Sequence, residues 1–401
     1  MVRTKILPTG FSLASKSAKQ KRLLELDMLR ALAIIMIVIG HTFFFGTTPL
    51  FISAIGYLQP YLFFFGLSLF FFVSGFVLYY SYGRIETTAD MLTFWKKRLI
   101  RLFPLYWLAL VSIFVLETLK IEENFTHFSF SSVLIQLLGL QALLAPRFIN
   151  SIFTLWFVGL ILLFYLLYPV ILYPSRDGSH LILASFAVIL PFVIMRLAFD
   201  IIDFRFFLYY GIFVAGILTC KQGAMYKTSP KPRFLYIGAI LLMALLALIN
   251  FSAIRGIATA ASNGALFNGY GYFSYNPSEL PLLITKFSLI ILLNMVALLF
   301  IYVVFIAARL CVPSISRALL NLILIIAFSA YSIYLFHGQI LACVDVFVHH
   351  VFQLGVIQTD IALILLGYPL ILGFAYFVQR QESNIVIRIR NIIKEGKERR
   401  K

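Results

Sequence analysis

The chain has 401 residues, of which 62% are hydrophobic and only 12% charged, with 42 Phe and a mean hydropathy of +0.97. Soluble domains are about 45–50% apolar and about 25% charged, so this composition excludes a single water-soluble core and points to a polytopic membrane protein. The net charge of +17, from 33 basic and 16 acidic residues, would raise nucleic acid in a soluble chain, but here the basic residues flank apolar runs and follow the positive-inside rule instead.

The first twenty residues contain no apolar core of a signal peptide, so the first span is expected to act as its own membrane signal. Apolar runs between polar breaks predict an all-α fold of about ten transmembrane helices, near 25–46, 61–82, 103–119, 153–174, 181–198, 206–220, 234–252, 282–308, 321–348 and 361–379. This divides the chain into a basic tail (1–24), a ten-helix membrane domain (25–379) and a basic amphipathic tail (380–401). Alternate connecting segments carry 26 Lys and Arg on one side and five on the other: Lys120, Arg147, Arg205, Arg255 and Lys286. That asymmetry predicts that both termini are cytoplasmic.

In the first span, ELDMLRALAIIMIVIGH, Arg30 and His41 are eleven residues apart, three helical turns plus about 20°, and so share one face. Their axial separation is about 16.5 Å, which places Arg30 near the inner interface and His41 well into the membrane. Asp27 is within pairing or capping distance of Arg30. Charged and polar groups in a span are costly and are functional candidates by default. Taken singly, Arg30 reads equally as a snorkelling cation and His41 as a packed interior histidine.

Further along, FWKKRLIRLF (94–103) and NIVIRIRNIIKEGKERRK (384–401) mix apolar and basic residues, as expected of segments lying on the anionic inner leaflet. The run from Phe130 to Ala145 is too short to cross and reads as a re-entrant or interfacial helix. An outer segment from Arg255 to Glu279 is dense in Tyr, Asn and Gly; turn chemistry or sugar contact would both account for it. His337 is the other histidine deep in a span. Asp345, eight residues on, points about 80° away from it. Cys220, Cys311 and Cys343 show no metal-ligand spacing and read as small core residues; no metal is expected.

Four stretches in order resemble the acyltransferase family 3 membrane proteins. ELDMLRALAIIMIVIGH matches the opening Arg, ten residues, His motif; FFFVSGFVLYY (70–80) matches the Ser-Gly-Phe motif and contains Ser74. KKRLIRLFPLYWLAL (96–110) is similar to the Arg-x-x-Arg motif before Pro-x-Tyr-Trp, and FSAYSIYLFHGQIL (328–341) to the late Ser-Tyr-x-Ile-Tyr-Leu-x-His helix. The family transfers acyl groups, commonly acetyl from cytoplasmic acetyl-CoA, to hydroxyls of cell-surface or secreted glycans. The resemblance implies a multi-pass plasma-membrane enzyme whose Arg30, Arg98 and Arg101 hold the coenzyme A phosphates. It makes His41 the general base, since burial favours a neutral imidazole, with Arg30 beside it in the catalytic motif. Ser74, Trp156, Tyr331 and His337 are then candidates for substrate binding. Membrane lipids, a glycan or lipid-linked sugar acceptor and glycan-assembly proteins are the expected partners, and nucleic acid is not.

One departure stands out. Members often carry Trp-Ser-Leu followed by Glu at the fourth span, whereas this chain reads FTLWFVGLILLFYLLYP, with no acidic residue between Glu123 and Asp177. A carboxylate from that helix cannot assist His41, so another group must orient the imidazole. Two other classes fit a polytopic chain with buried Arg and His: a transporter or flippase for lipid-linked or acylated sugars, and a structural subunit of a glycan-export complex.

Overall fold

A computed structural model describes residues 22–46, 48–83, 85–119, 130–149, 155–175, 177–223, 231–250 and 280–398, and among these all regular structure is helical. The helices are α1 (Leu24–Thr42), α2 (Pro49–Tyr82), α3 (Thr88–Thr118), α4 (Phe130–Leu137), α5 (Gln141–Leu144), α6 (Trp156–Leu172) and α7 (Gly178–Phe199). They continue with α8 (Arg205–Gln222), α9 (Pro232–Asn250), α10 (Leu280–Cys311), α11 (Arg317–Val346), α12 (Val356–Ala362) and α13 (Tyr368–Glu398). A π-helical turn, Leu363–Gly367, joins α12 to α13.

Among the described residues, seven segments are long and apolar enough to cross a membrane: α2, α3, α7, α9, α10, α11, and the α12–α13 stretch to Ile385. The protein is a polytopic all-α membrane protein. Helices occupy all ten predicted positions, and the other three are no longer than the shortest of the seven: 19 residues in α1, 17 in α6 and 18 in α8. Each is buried along most of its length. Facing protein rather than hydrocarbon, α1 and α8 are released from the apolarity, and α6 from the length, that a lipid-exposed span requires.

The centre of the bundle is α1, which packs against α2, α10 and α11, while α2 packs on α8 and α11 on α13 and α3. Exposed residues such as Leu183, Phe186 and Leu190 on α7, and Ile237, Ile240 and Met243 on α9, give those helices the apolar outer surface of a membrane bundle. The tightest contact is between α2 and α8. A Cβ on Gly75 would lie 2.2 Å from the Phe213 carbonyl oxygen, and one on Gly216 would lie 2.2 Å from that of Phe72. The glycine of the Ser-Gly-Phe stretch therefore brings two backbones together, in the manner of small residues at membrane helix crossings.

Several boundaries differ from those read in the sequence. Helix α2 starts at Pro49 rather than near 61, because polarity does not stop a helix until its backbone is capped. The basic segment 94–103 is not separated from its span: α3 is continuous from Thr88, where the Thr87–Asp90 capping box starts it, and passes through Pro104. The run from Phe130 to Ala145 forms α4 and α5, broken where Gly139 adopts φ +72°, and neither is long enough to cross. The N-terminal tail to residue 21, Lys120, Arg176 and the segment Arg255–Glu279 lie outside the described residues.

Candidate functional site

The N-terminal half of α1 carries the first cluster. Arg30 is half-buried and pairs with Asp27 at 3.5 Å, and Asp27, buried, also accepts from Arg22 at 2.5 Å. Arg30 lies within Coulombic range of Arg101 on α3 and of Tyr165 on α6. Arg98 joins them by stacking its guanidinium against three rings, 4.9 Å from Tyr82, 5.6 Å from Phe94 and 5.5 Å from Tyr165. Its Nε is buried with no hydrogen-bond partner. A guanidinium held by aromatic faces and left with a spare N–H is disposed to take an anionic oxygen. The three arginines named from the sequence are thus drawn from two helices to one end of the bundle around Tyr165.

Two more sequence candidates fall at this end. Tyr331 on α11 donates to the Leu102 carbonyl at 3.0 Å and lies within Coulombic range of Arg101, Tyr165 and Glu382. Ser74 is placed by register. Phe63 lies against Gly40 and His41, and Gly66 against Ala33, so antiparallel α1 and α2 bring position 74 level with position 30. Ser74 therefore stands about three turns away from His41. Residues that the sequence reading did not single out complete the cluster. Buried Glu382 on α13 accepts from Gln379 Nε2 at 2.9 Å, and Gln379 Oε1 accepts from Ser332 at 2.8 Å. Their signal was weak, because Gln379 and Glu382 stand where an apolar run meets a basic tail.

The C-terminal end of α1 carries the second cluster. His41 and His337 are both buried, and their rings meet edge to face with centroids 4.6 Å apart and planes at 70°. His41 Nδ1–H donates to the Ile37 carbonyl at 2.8 Å. His337 Nδ1–H is shared between the carbonyls of Ile333, at 3.0 Å, and Tyr334, at 2.8 Å. In each ring this places the lone pair on Nε2, the end directed away from the residue's own helix. His337 Nε2 is buried without a hydrogen-bond partner among the described residues. The backbone of α1 therefore does what a carboxylate from the fourth span would have done, fixing tautomer and orientation, and Asp345 turns instead to His349 at 3.3 Å.

Apolar and aromatic groups close round this pair. Phe63 lies 4.4 Å from the His41 ring, Phe44 6.1 Å from it, and Tyr334 5.8 Å from the His337 ring. From Tyr334 the contacts continue to Phe157 at 4.5 Å and then to Trp156 at 6.3 Å. Trp156 is covered by Arg205, whose guanidinium sits 3.8 Å from the indole ring centroid and is forked onto buried Asp203. Trp156 thus stands three aromatic contacts from the histidine pair, with Tyr334 and Phe157 between.

This arrangement has a division of labour. Cationic forks at one end suit a phosphorylated donor, and a pair of nitrogen acceptors at the other suits proton transfer from a hydroxyl, with one face of α1 joining them. No curated protein and no solved structure matches the chain. A family model described as an acyltransferase domain matches residues 23–380, nearly the whole chain, and takes in Arg30, Arg98, Arg101, His41 and His337. The match covers well over half of the chain, and the chain belongs to acyltransferase family 3.

Proposed function

We propose that this membrane acyltransferase moves an acetyl group from cytoplasmic acyl-CoA to a hydroxyl of an extracytoplasmic or lipid-linked glycan at the plasma membrane, with both termini cytoplasmic. The observation that carries the reading is the single face of α1, with Arg30 among converging arginines at one end and His41 against His337 at the other. Arg30, Arg98 and Arg101 hold the donor's phosphates at the inner mouth, and the pantetheine arm runs along α1 toward the histidines. Tyr165 and the Tyr82 ring keep Arg98 extended for that contact.

At the far end, His41 Nε2 takes the proton of the acceptor hydroxyl as its oxygen adds to the thioester carbonyl. The C–S bond then breaks, and the imidazolium returns the proton to the departing sulfur. The apolar walls of Phe63, Phe44 and Tyr334 keep bulk water from the thioester, which disfavours hydrolysis. Trp156, held by Arg205, faces the acceptor's approach.

The test is an assay of purified protein with acetyl-CoA, reading free CoA, together with mass spectrometry of surface glycans from cells with and without the gene. CoA release that depends on His41, and acetyl groups gained only with the gene, are expected. Sugar movement across vesicles without any CoA release would replace this reading with the transporter one.

A further inference from the structure

The histidine pair holds one feature that the general-base role does not use. His337 is fully buried, its Nδ1–H is spent on two carbonyls of its own helix, and its Nε2 lone pair has no partner among the described residues. A buried acceptor left unmade costs about 1–3 kcal/mol, so such an atom is rarely left without a use. What it needs is a donor hydrogen, presented within a few ångströms of the point where His41 meets the reacting hydroxyl.

The thioester carbonyl and sulfur supply no donor, and the nearest pantetheine amide N–H is set back from the sulfur by two carbons. The reacting hydroxyl has one hydrogen, and His41 takes it. The remaining source within reach on the acceptor is a second hydroxyl close to the first. Ring centroids 4.6 Å apart are suitably spaced for two imidazoles to receive two neighbouring hydroxyls of one small ring. We infer that the acceptor is recognised as a vicinal diol: His41 Nε2 meets the hydroxyl to be acylated, while His337 Nε2 accepts a hydrogen bond from the hydroxyl on the adjacent carbon.

This deepens the proposed function and rests on His41 as its base. His337 then sets specificity and position, and the chemistry of the reacting oxygen is unchanged. The carbohydrate class that fits is a sugar unit with two free adjacent hydroxyls, acylated at one of them. Once one position is acylated, the pair at His337 is gone, so the same diol would not be acylated twice.

The test compares trans-1,2-cyclohexanediol with cyclohexanol as acceptors, with acetyl-CoA as donor and free CoA as readout. The two probes differ by one adjacent hydroxyl and are close in size to a pyranose ring. The wild-type protein is expected to prefer the diol in kcat/KM by about tenfold or more, the value of one satisfied buried acceptor. His337→Leu should bring the two acceptors within about twofold of each other, and His337→Gln, which keeps an acceptor oxygen, should restore part of the preference. A purely structural role for His337 would slow both acceptors equally and leave the ratio intact, which overturns the inference. So does a wild-type protein that fails to prefer the diol, or that acylates neither probe. The His41→Ala variant separates the two levels: if it still acylates the diol at the wild-type rate, the base assignment itself is wrong, whereas an inactive His41→Ala beside an unchanged ratio in His337→Leu removes only the diol.

Discussion

His41 and His337 come from helices nearly three hundred residues apart in the chain, yet their rings touch at 4.6 Å, each tied through Nδ1–H to a carbonyl one turn earlier in its own helix. Orientation by backbone is rigid and costs no additional side chain. It also needs no carboxylate from α6, whose sequence has none.

Replacing His41 with Ala should lower the rate of acyl transfer by about 10²–10⁴-fold, the usual contribution of a positioned base. Binding of acyl-CoA, which the proposed function assigns to the other end of α1, should be nearly unchanged. Isothermal titration with a non-hydrolysable acyl-CoA analogue, beside the CoA-release assay, reads both quantities. Loss of binding together with activity would mean that His41 holds the bundle rather than the proton.

Arg98→Ala and Arg101→Ala should each raise KM for acyl-CoA by about tenfold or more while kcat changes little, since a charge-assisted contact is worth about 1.5–3 kcal/mol and acts on ground and transition states alike. Arg98→Lys should recover only part of the affinity, because an ammonium cannot both lie flat on the Tyr82 and Tyr165 rings and present a fork. Raising salt should weaken donor binding to the wild type more than to either variant. An unchanged KM in both alanine variants would remove the arginine cluster from the donor site.

Gly75→Ala should destabilise the protein more than an ordinary surface change, by about 1–3 kcal/mol or beyond, because the new methyl group must push the α8 backbone away at Phe213. Gly216→Ala should do the same from the opposite side. Gly373, where an added Cβ meets nothing within 4 Å, is the control position. Thermal unfolding in detergent ranks the three variants, and equal midpoints would show that α2 and α8 can separate freely.

Arg205→Ala should cost about 3–5 kcal/mol, since it leaves the Asp203 carboxylate buried without its guanidinium. The double variant Arg205→Met, Asp203→Asn should be more stable than Arg205→Ala alone, for the buried charge has then gone with its partner. Trp156 fluorescence should shift in both variants, because the guanidinium 3.8 Å from its ring is lost in each. A double variant as unstable as the single one would mean that the ion pair is not what the fold depends on here.

How much of this could be read in the sequence depended on whether a group's partners were near it in the chain. Arg30 and His41 share a helix, so their spacing alone put them on one face, and Arg98 with Arg101 followed the same rule. Tyr331 was singled out near His337 in sequence but sits at the arginine end, because six helical residues carry a side chain about 9 Å along the axis. Ser74 was similarly displaced from the histidines by the antiparallel register of α1 and α2. Glu382 and Gln379 were missed since their meaning comes from α3 and α11, which pack beside them only in the folded bundle. The pairing of His41 with His337 was beyond reach for the same reason: two spans can each present a histidine without meeting.

The position of α1 carries a consequence for how the protein is made. Among the described helices α1 comes first in the chain, yet it bears Glu25, Asp27 and Arg30 and has its largest faces against α2, α10 and α11. Its last neighbour, α11, begins at Arg317, long after α1 must have entered the bilayer. The side of α1 that α11 covers, where His41 meets His337, is therefore completed only when the C-terminal helices pack against it.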